Sequence, residues 1–130
     1  MFKKKKKTLP SAPTDYPTGI CVKTEAGYWY INGKFRHPFK SDRLVQSWNF
    51  SFIAESTEAA LSHYLKGKPL GYRDGSLVCD IADGKTYLIS SKTRRLITKP
   101  ETYDLLGLKR SDAIWAARDE INLHPEGEVL

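Results

Sequence analysis

The sequence predicts an α+β fold: two tandem copies of a small β-hairpin or three-stranded unit with short helices, behind an extended N-terminal arm. Three observations carry this expectation. The first is an internal repeat, which is sought before anything else because missing it misreads the whole fold. Residues 20–50 lie over residues 78–108 at a constant offset of 58, placing Cys21 on Cys79, Ile31 on Ile89, Lys34 on Lys92 and Arg36 on Arg94. After a two-residue slip the match resumes at offset 60, with Leu61 on Ile121 and Gly67 on Gly127. The second is that each copy strings short β-type runs between tight-turn residues and then changes to a capped helical pattern. The third is the opening, a run of lysines followed by Pro10, Pro13 and Pro17 among small polar residues. Such a stretch has few backbone donors and fixed φ, and it is expected to lie extended on a neighbour or to remain loose.

These signals divide the chain into an arm (1–16), a first repeat (17–70) and a second (71–130). A unit of about 55–60 residues is marginal alone, so the copies are expected to share one body. In the first copy Ile20 to Lys23 reads as a strand, Glu25-Ala26-Gly27 as a turn and Tyr28 to Ile31 as an aromatic-rich strand. Asn32-Gly33 is a strong hairpin signal, since a type I′ turn needs positive φ at both central residues. It returns the chain into Lys34 to Phe39. Ser41 is placed to cap a helix carrying Leu44, Val45 and Trp48. Phe50 to Ala54 is a short apolar run. Ser56 or Thr57 then caps a second helix with Ala60, Leu61, Tyr64 and Leu65 on one face.

In the second copy Leu77 to Ile81 is a strand, Asp83-Gly84 its turn, and Thr86 to Ile89 and Arg94 to Ile97 pair across Ser90-Ser91. Thr98 with Glu101 forms a capping box and Pro100 suits the first turn. Leu105 and Leu106 form the buried face and Gly107 stops the helix. Ser111 or Asp112 caps a last segment holding Ile114, Trp115 and Ile121.

The net charge of +6 belongs to the arm. Lys3, Lys4, Lys5, Lys6 and Lys7 supply five charges, leaving 6 − 5 = +1 for the rest. A run of like charges repels itself and awaits an acidic partner, which nucleic acid, an anionic surface or an acidic protein groove can supply. The alternative is a solvated tail. No stretch reaches the length of a membrane span. The polar, proline-rich stretch after the lysines does not continue as the apolar core of a secretion signal. Cys21 and Cys79 either pair near a pseudo-twofold axis or remain two buried thiols; two cysteines alone do not make a zinc site.

The second copy runs Gly75-Ser-Leu-Val, Thr86-Tyr-Leu-Ile, Arg94-Arg-Leu-Ile, Pro100-Glu-Thr-Tyr and Leu106-Gly, and closes on Asn122-Leu-His-Pro-Glu-Gly. This phrase resembles a short repeat seen in tandem in bacterial surface and secreted proteins and in tail-associated proteins of bacteriophages. The resemblance covers residues 75–127 well and 17–70 loosely. The first copy has Trp48-Asn49 where the second has Leu106-Gly107. The resemblance implies an accessory binding or structural role on bacterial envelopes or in virions, and no activity.

No catalytic pattern stands out in the sequence. Gly84-Lys85-Thr86 lacks the phosphate-loop glycine five residues earlier, where Cys79 stands. His37, His63 and His124 have no metal-ligand spacing. Cys21 and Cys79 fall inside expected strands rather than beside a base. Asp80 and Asp83 flank a turn that favours Asp for backbone reasons. The expectation is therefore a non-enzyme with no cofactor and no metal.

The candidate partner-binding residues are Lys3 to Lys7, the aromatic hairpin with Tyr28, Trp29, Tyr30, Phe35 and Arg36, and the basic pair Arg94 and Arg95. Tyr, Trp and Arg are enriched at protein interfaces, although the same aromatics suit a core. The expected function is that of a structural or adaptor component of a bacteriophage particle, at the tail or connector. It would be made in the bacterial cytoplasm and located in the virion, and it would contact other virion proteins in a symmetric multi-subunit assembly, with no membrane. Two alternatives stand beside it. One is a bacterial envelope or carbohydrate-binding module, which requires an exposed Trp29 or Trp115. The other is nucleic-acid binding through the lysine tail.

Overall fold

The computed structural model describes residues 8–130. Lys3 to Lys7 lie outside the described residues. The fold is α+β, with two mixed sheets and short helices. The first sheet holds β1 (Cys21–Thr24), β2 (Gly27–Asn32), β3 (Phe35–Pro38), β4 (Ala54–Glu55) and β5 (Leu65–Lys66), in the order β4-β1-β2-β3-β5. The second holds β6 (Leu77–Asp80), β7 (Thr86–Ser90), β8 (Thr93–Leu96) and β9 (Ile114–Ala116), in the order β8-β7-β6-β9. Helices are α1 (Asp42–Ser47), α2 (Pro100–Leu105) and α3 (Arg118–Ile121), with a 3-10 turn at Arg110–Asp112.

The chain divides into two compact units. The first takes the chain up to Pro38 together with Phe50–Lys68, and the second takes Phe39–Asn49 and Pro69–Leu130. Helix α1, encoded in the first repeat, thus belongs to the second unit.

The duplication reappears as the same hydrogen bonds made twice. Gly19 N–H donates to the Ile31 carbonyl at 2.8 Å, and Gly75 N–H to that of Ile89 at 2.7 Å. Tyr16 N–H donates to Tyr64 Oη at 2.7 Å, and Tyr72 N–H to His124 Nε2 at 2.9 Å. Gly67 N–H reaches the Arg36 carbonyl as Gly127 N–H reaches that of Arg94. The Arg36 guanidinium lies 4.3 Å from the Trp29 ring centre, and that of Arg94 lies 6.0 Å from Tyr87.

These pairings correct the gapless alignment. Val22 stands opposite Trp29, and Val78 opposite Tyr87. Since Tyr87 is the counterpart of Trp29, Val78 is the counterpart of Val22, and the first strands match at offset 56. Cys21 therefore corresponds to Leu77, and Cys79 to Lys23. The loop after β1 is Glu25-Ala26, whereas Ile81 to Gly84 fills the loop closed by the 2.8 Å bond from Asp80 N–H to the Lys85 carbonyl. Four residues replace two, and the slip follows. Both cysteines are free, buried thiols in different units.

Several local expectations hold and several change. Ser41 caps α1 by accepting the Leu44 N–H. Asn49 ends that helix with φ 50°, filling the left-handed position that Gly107 fills after α2 with φ 67°; asparagine tolerates this region better than other side chains. The segment after Thr57 forms consecutive turns rather than a regular helix. Thr57 Oγ1 accepts the Ala60 N–H, while the buried Ser56 hydroxyl has no hydrogen-bond partner among the described residues. Ala60, Leu61 and Tyr64 are buried as expected, but Leu65 is exposed on β5. Helix α2 begins on Lys99 with no side-chain cap, so Thr98 and Glu101 form no capping box. Leu105 and Leu106, expected in the core, are 84% and 44% exposed.

The first unit packs Val22, Trp29, Ile31, Leu61 and Tyr64 together. Its buried charge is Arg36, which stacks on Trp29 and meets Glu58 Oε1 at 2.9 Å. Burial pushes the Glu58 carboxyl upward, but hydrogen bonds from Thr24 and Arg36 and the Arg36 charge outweigh it, and its pKa lies below the usual value.

The second unit is centred on Glu120, 2% exposed. It accepts from the Ser41 hydroxyl, from Tyr72 Oη at 3.2 Å and from Ala117 N–H at 3.0 Å, and it pairs with Arg43 at 3.1 Å. Two of these donors, Ser41 and Arg43, hold α1, whose Leu44 and Val45 are buried. Trp48 Nε1 adds a 2.9 Å bond to the Gly71 carbonyl.

His124 is buried with Nε2 accepting from Tyr72, so its proton sits on Nδ1 and is donated to the Lys92 carbonyl at 2.7 Å. A Cβ at Gly71 would meet this ring at 2.4 Å. Burial holds the His124 pKa below 6.5, against the opposing pull of the Lys92 bond.

Two predictions follow from this packing. Leu44→Ala in α1 is expected to cost about 2–5 kcal/mol, whereas Leu105→Ala in α2 stays within about 0.5 kcal/mol; urea unfolding of the two variants checks this. The unfolded chain protonates its histidine near pH 6.5 while folded His124 stays neutral. Stability from this group is therefore full above pH 6.5 and lost as pH falls below it. The urea midpoint should drop between about pH 7.5 and about pH 5.5, and drop less in His124→Gln.

Candidate interaction surface

One face of the second unit gathers exposed apolar groups, cations and two hollows. After β8 the chain passes Ile97, enters α2 at Pro100 and leaves through Gly107. The exit is a Schellman motif: Leu108 N–H donates to the Tyr103 carbonyl at 2.8 Å and Gly107 N–H to that of Asp104 at 3.2 Å. Proline at the start and glycine at the end thus fix a helix of six residues, none of them buried. A cleft of about 660 Å³ lies along it, lined by the β6–β7 loop at Gly84-Lys85-Thr86, by Lys99 and Tyr103, and by Lys109 and Arg110. A second hollow of about 270 Å³ shares Thr86 and Arg110 and adds Cys79 and Trp115. Trp115 is 60% exposed.

The chemistry of this face suits binding. The larger cleft carries four cations, Lys85, Lys99, Lys109 and Arg110, against one carboxylate, Asp104. The Thr86 hydroxyl is buried without a hydrogen-bond partner among the described residues. Cys79 is buried and its Sγ donates to the Gly84 carbonyl at 3.4 Å. Burial pushes the Cys21 thiol up to about 11. Asp80 and Asp83 are clasped by Arg118 at 3.1 Å each, and Asp80 also accepts the Ala82 N–H. They tie the β6–β7 loop to α3. Among the described residues no group of three or more His, Cys, Asp or Glu side chains could hold a metal ion. Among the described residues no helix is long and apolar enough to cross a membrane.

The described residues expected to bind partners fall in two different units. Trp29 and Arg36 are buried in the first unit, with Trp29 Nε1 donating to Thr24 Oγ1. Tyr28 is half-buried with Lys23 Nζ 5.6 Å from its ring centre, and Tyr30 is half-buried with its ring 6.3 Å from Phe50. Phe35 is 44% exposed. It stands opposite Leu65 across the β3–β5 pair, itself 57% exposed. In the second unit Arg94 is spent on structure, donating to the His124 carbonyl at 2.7 Å and pairing with Glu126 at 3.2 Å. Arg95 donates to the Glu128 carbonyl at 2.9 Å. Tandem hairpins place an arginine after each turn, but whether it faces solvent depends on what the far end of the repeat brings over it.

A second hollow region lies in the first unit. A groove of about 400 Å³ is lined by Asp15, Tyr16, Gly33, Lys34, His63, Tyr64 and Leu65. His63 Nε2 meets Asp15 Oδ1 at 2.8 Å. The groove was not singled out from the sequence, because it joins residues from distant segments, whereas of the two tryptophans offered as exposed the structure exposes Trp115 and buries Trp29.

No family model matches this chain, and no curated protein matches it. Among solved structures, a chain in the structure of the periplasmic assembly from the ESX-5 inner membrane complex is similar over 93% of this chain, with 14% identity and a TM-score of 0.34. This chain covers 42% of that one.

The thiols give a direct check on the site. Cys21 and Cys79 are expected to resist a thiol-specific reagent in the native protein and to react fully, both of them, in denaturant without reductant; rapid native labelling would show that at least one is accessible.

Proposed function

We propose that this chain is a non-catalytic structural or adaptor component that works through protein–protein contacts, and that its setting is a bacteriophage particle, at the tail or connector. The observation that supports contact as its mode of action is the display of Leu105, Leu106, Trp115 and Ile81 on the second unit beside a basic cleft. Exposed aromatic and arginine groups at a concavity, such as Trp115 and Arg110 here, are usual anchors of an interface, and exposed apolar side chains beside them enlarge the area that a partner can bury. The buried cysteines and the Asp pair clasped by Arg118 support a structural role for these residues. The phage setting comes from the resemblance of residues 75–127 to tail-associated repeats. In that setting the lysine arm docks on acidic surfaces of neighbouring subunits.

A second reading, an envelope or carbohydrate-binding module, is favoured by one observation: Trp115 is 60% exposed beside a hollow of about 270 Å³. An exposed indole at a hollow is a platform on which a sugar ring can stack.

Mass spectrometry of purified particles is expected to find this chain in fixed stoichiometry with other virion proteins, and immobilised protein is expected to retain virion proteins rather than cell-wall polysaccharide. The Trp115→Ala variant divides the readings. With Trp115 as an interface anchor, its loss should weaken protein retention at least about tenfold, whereas loss of polysaccharide binding on Trp115→Ala with retention of virion proteins unchanged would favour the second reading.

A further inference from the structure

Strand register puts three side chains of the second unit in one row. Cys79 stands opposite Thr86 across β6–β7 and opposite Trp115 across β6–β9, so the three share one face of the sheet. All three line the hollow of about 270 Å³, and the rest of its lining comes from the turn at Arg110, Ser111 and Ala113. Thr86 is 3% exposed, and its hydroxyl has no hydrogen-bond partner among the described residues. The neighbouring Cys79 Sγ is turned to the Gly84 carbonyl and does not serve it. Buried hydroxyls are normally bonded, and one left unpaired is a standing cost to the fold.

Thr86 and Arg110 also line the larger cleft of about 660 Å³, so the two hollows meet at these residues. The cations of the cleft, Lys85, Lys99, Lys109 and Arg110, are exposed, and none makes an ion pair among the described residues. Arg36, Arg43, Arg94 and Arg118, by contrast, each meet a carboxylate. Nearby acids do not balance the cleft. Asp80 and Asp83 are already clasped by Arg118. Glu101 and Asp112 are outside the lining, and Asp104 alone is within it, which leaves 4 − 1 = +3. Tyr103, Ile97 and Leu108 supply an aromatic and apolar wall. Convergent polar groups against such a wall, in a hollow of this size, suit a small ligand.

We propose that this cleft binds a small phosphate ester, whose phosphate accepts from the Thr86 hydroxyl and the Arg110 guanidinium and whose organic part lies against Tyr103. A phosphate monoester brings nearly two negative charges and three acceptor oxygens to one point. It therefore answers a lining of +3 and a spare hydroxyl donor together. A carboxylate brings a single charge, and a water molecule would serve the hydroxyl while leaving the cations unbalanced. Entry requires the exposed Arg110 side chain to move, and the phosphate gives it a partner. The site goes beyond the protein-contact reading above and does not depend on the virion setting.

Titration calorimetry of the full chain at about 0.15 M ionic strength, where exposed charges are screened, tests it with two probes, inorganic phosphate and phenyl phosphate. Phenyl phosphate should bind saturably, one to one, and inorganic phosphate more weakly, because it forgoes the Tyr103 wall. Thr86→Val, which puts a methyl group in place of the unpaired hydroxyl, and Arg110→Gln should each weaken phenyl phosphate binding at least tenfold, about 1.4 kcal/mol. Thr86→Val should keep or raise the urea midpoint, since it removes no hydrogen bond, so its lost affinity is not lost folding. No saturable binding to the wild type, or binding unchanged in either variant, overturns the proposal; the second result is what phosphate held by the lysine arm would give. Inorganic phosphate binding as tightly as phenyl phosphate overturns the ester. A single-stranded oligonucleotide that binds while phenyl phosphate does not would assign the cations to nucleic acid and overturn the site as well.

Discussion

Glu120 is the residue on which the second unit turns. A carboxylate with 2% of its surface exposed is costly to bury unless donors enclose it. Four do: Ser41, Arg43, Tyr72 and Ala117. They come from three separate stretches of chain, so satisfying one charge fixes α1, the segment before β6 and the start of α3 together. The first unit answers the same problem with the opposite sign, burying Arg36 against the Trp29 ring and the Glu58 carboxylate. The counterpart of Glu120 there is Ala60, which needs no donors and recruits no helix.

This difference separates scaffold from display. The residues that the copies share, such as Arg36 and Arg94 over their aromatic rings, close each hairpin against the end of its own repeat. They repeat because the hairpin needs them. The residues that differ, among them Glu120 against Ala60 and Trp48 against Leu106, decide which helix is packed and which is presented. Duplication supplies two frames of one geometry, and substitution at a few contact points gives each frame a separate use. An exposed helix held by proline at one end and a Schellman turn at the other is already ordered, which lowers the entropy cost of binding it.

Much of the fold was legible in short-range signals. The Ser41 cap, Pro100 and Gly107 each act within four residues and stand where the sequence places them, whereas the hairpins turn on Gly33-Lys34 and Ser91-Lys92, one residue later than the expected Asn32-Gly33 and Ser90-Ser91, because Asn32 and Ser90 pair inside their strands. The candidate site was far less legible. Trp29 and Arg36 read as an aromatic and basic surface, but Leu61, Tyr64 and Glu58 arrive from more than 20 residues away and cover them. Leu105 and Leu106 read as a buried face because leucines in a capped helix usually are. Here the helix has no wall to lie on within its own unit. The two-residue difference between the loops at 25–26 and 81–84 hid in a gapless alignment, because the matching cysteines lie on the wrong side of it.

The sequence by itself determined the α+β class, the duplication, the order of the hairpin strands, the start of α1 and the end of α2, since these depend on backbone preferences of glycine, proline and serine at fixed positions. Only the tertiary structure decided that α1 belongs to the second unit, that Cys21 and Cys79 are not counterparts, and that Trp29 is core while Trp115 is surface. Those outcomes depend on where buried charges find donors and on which distant segment covers an apolar side chain. Such pairings are set by the closing of the whole chain and leave no local pattern to read.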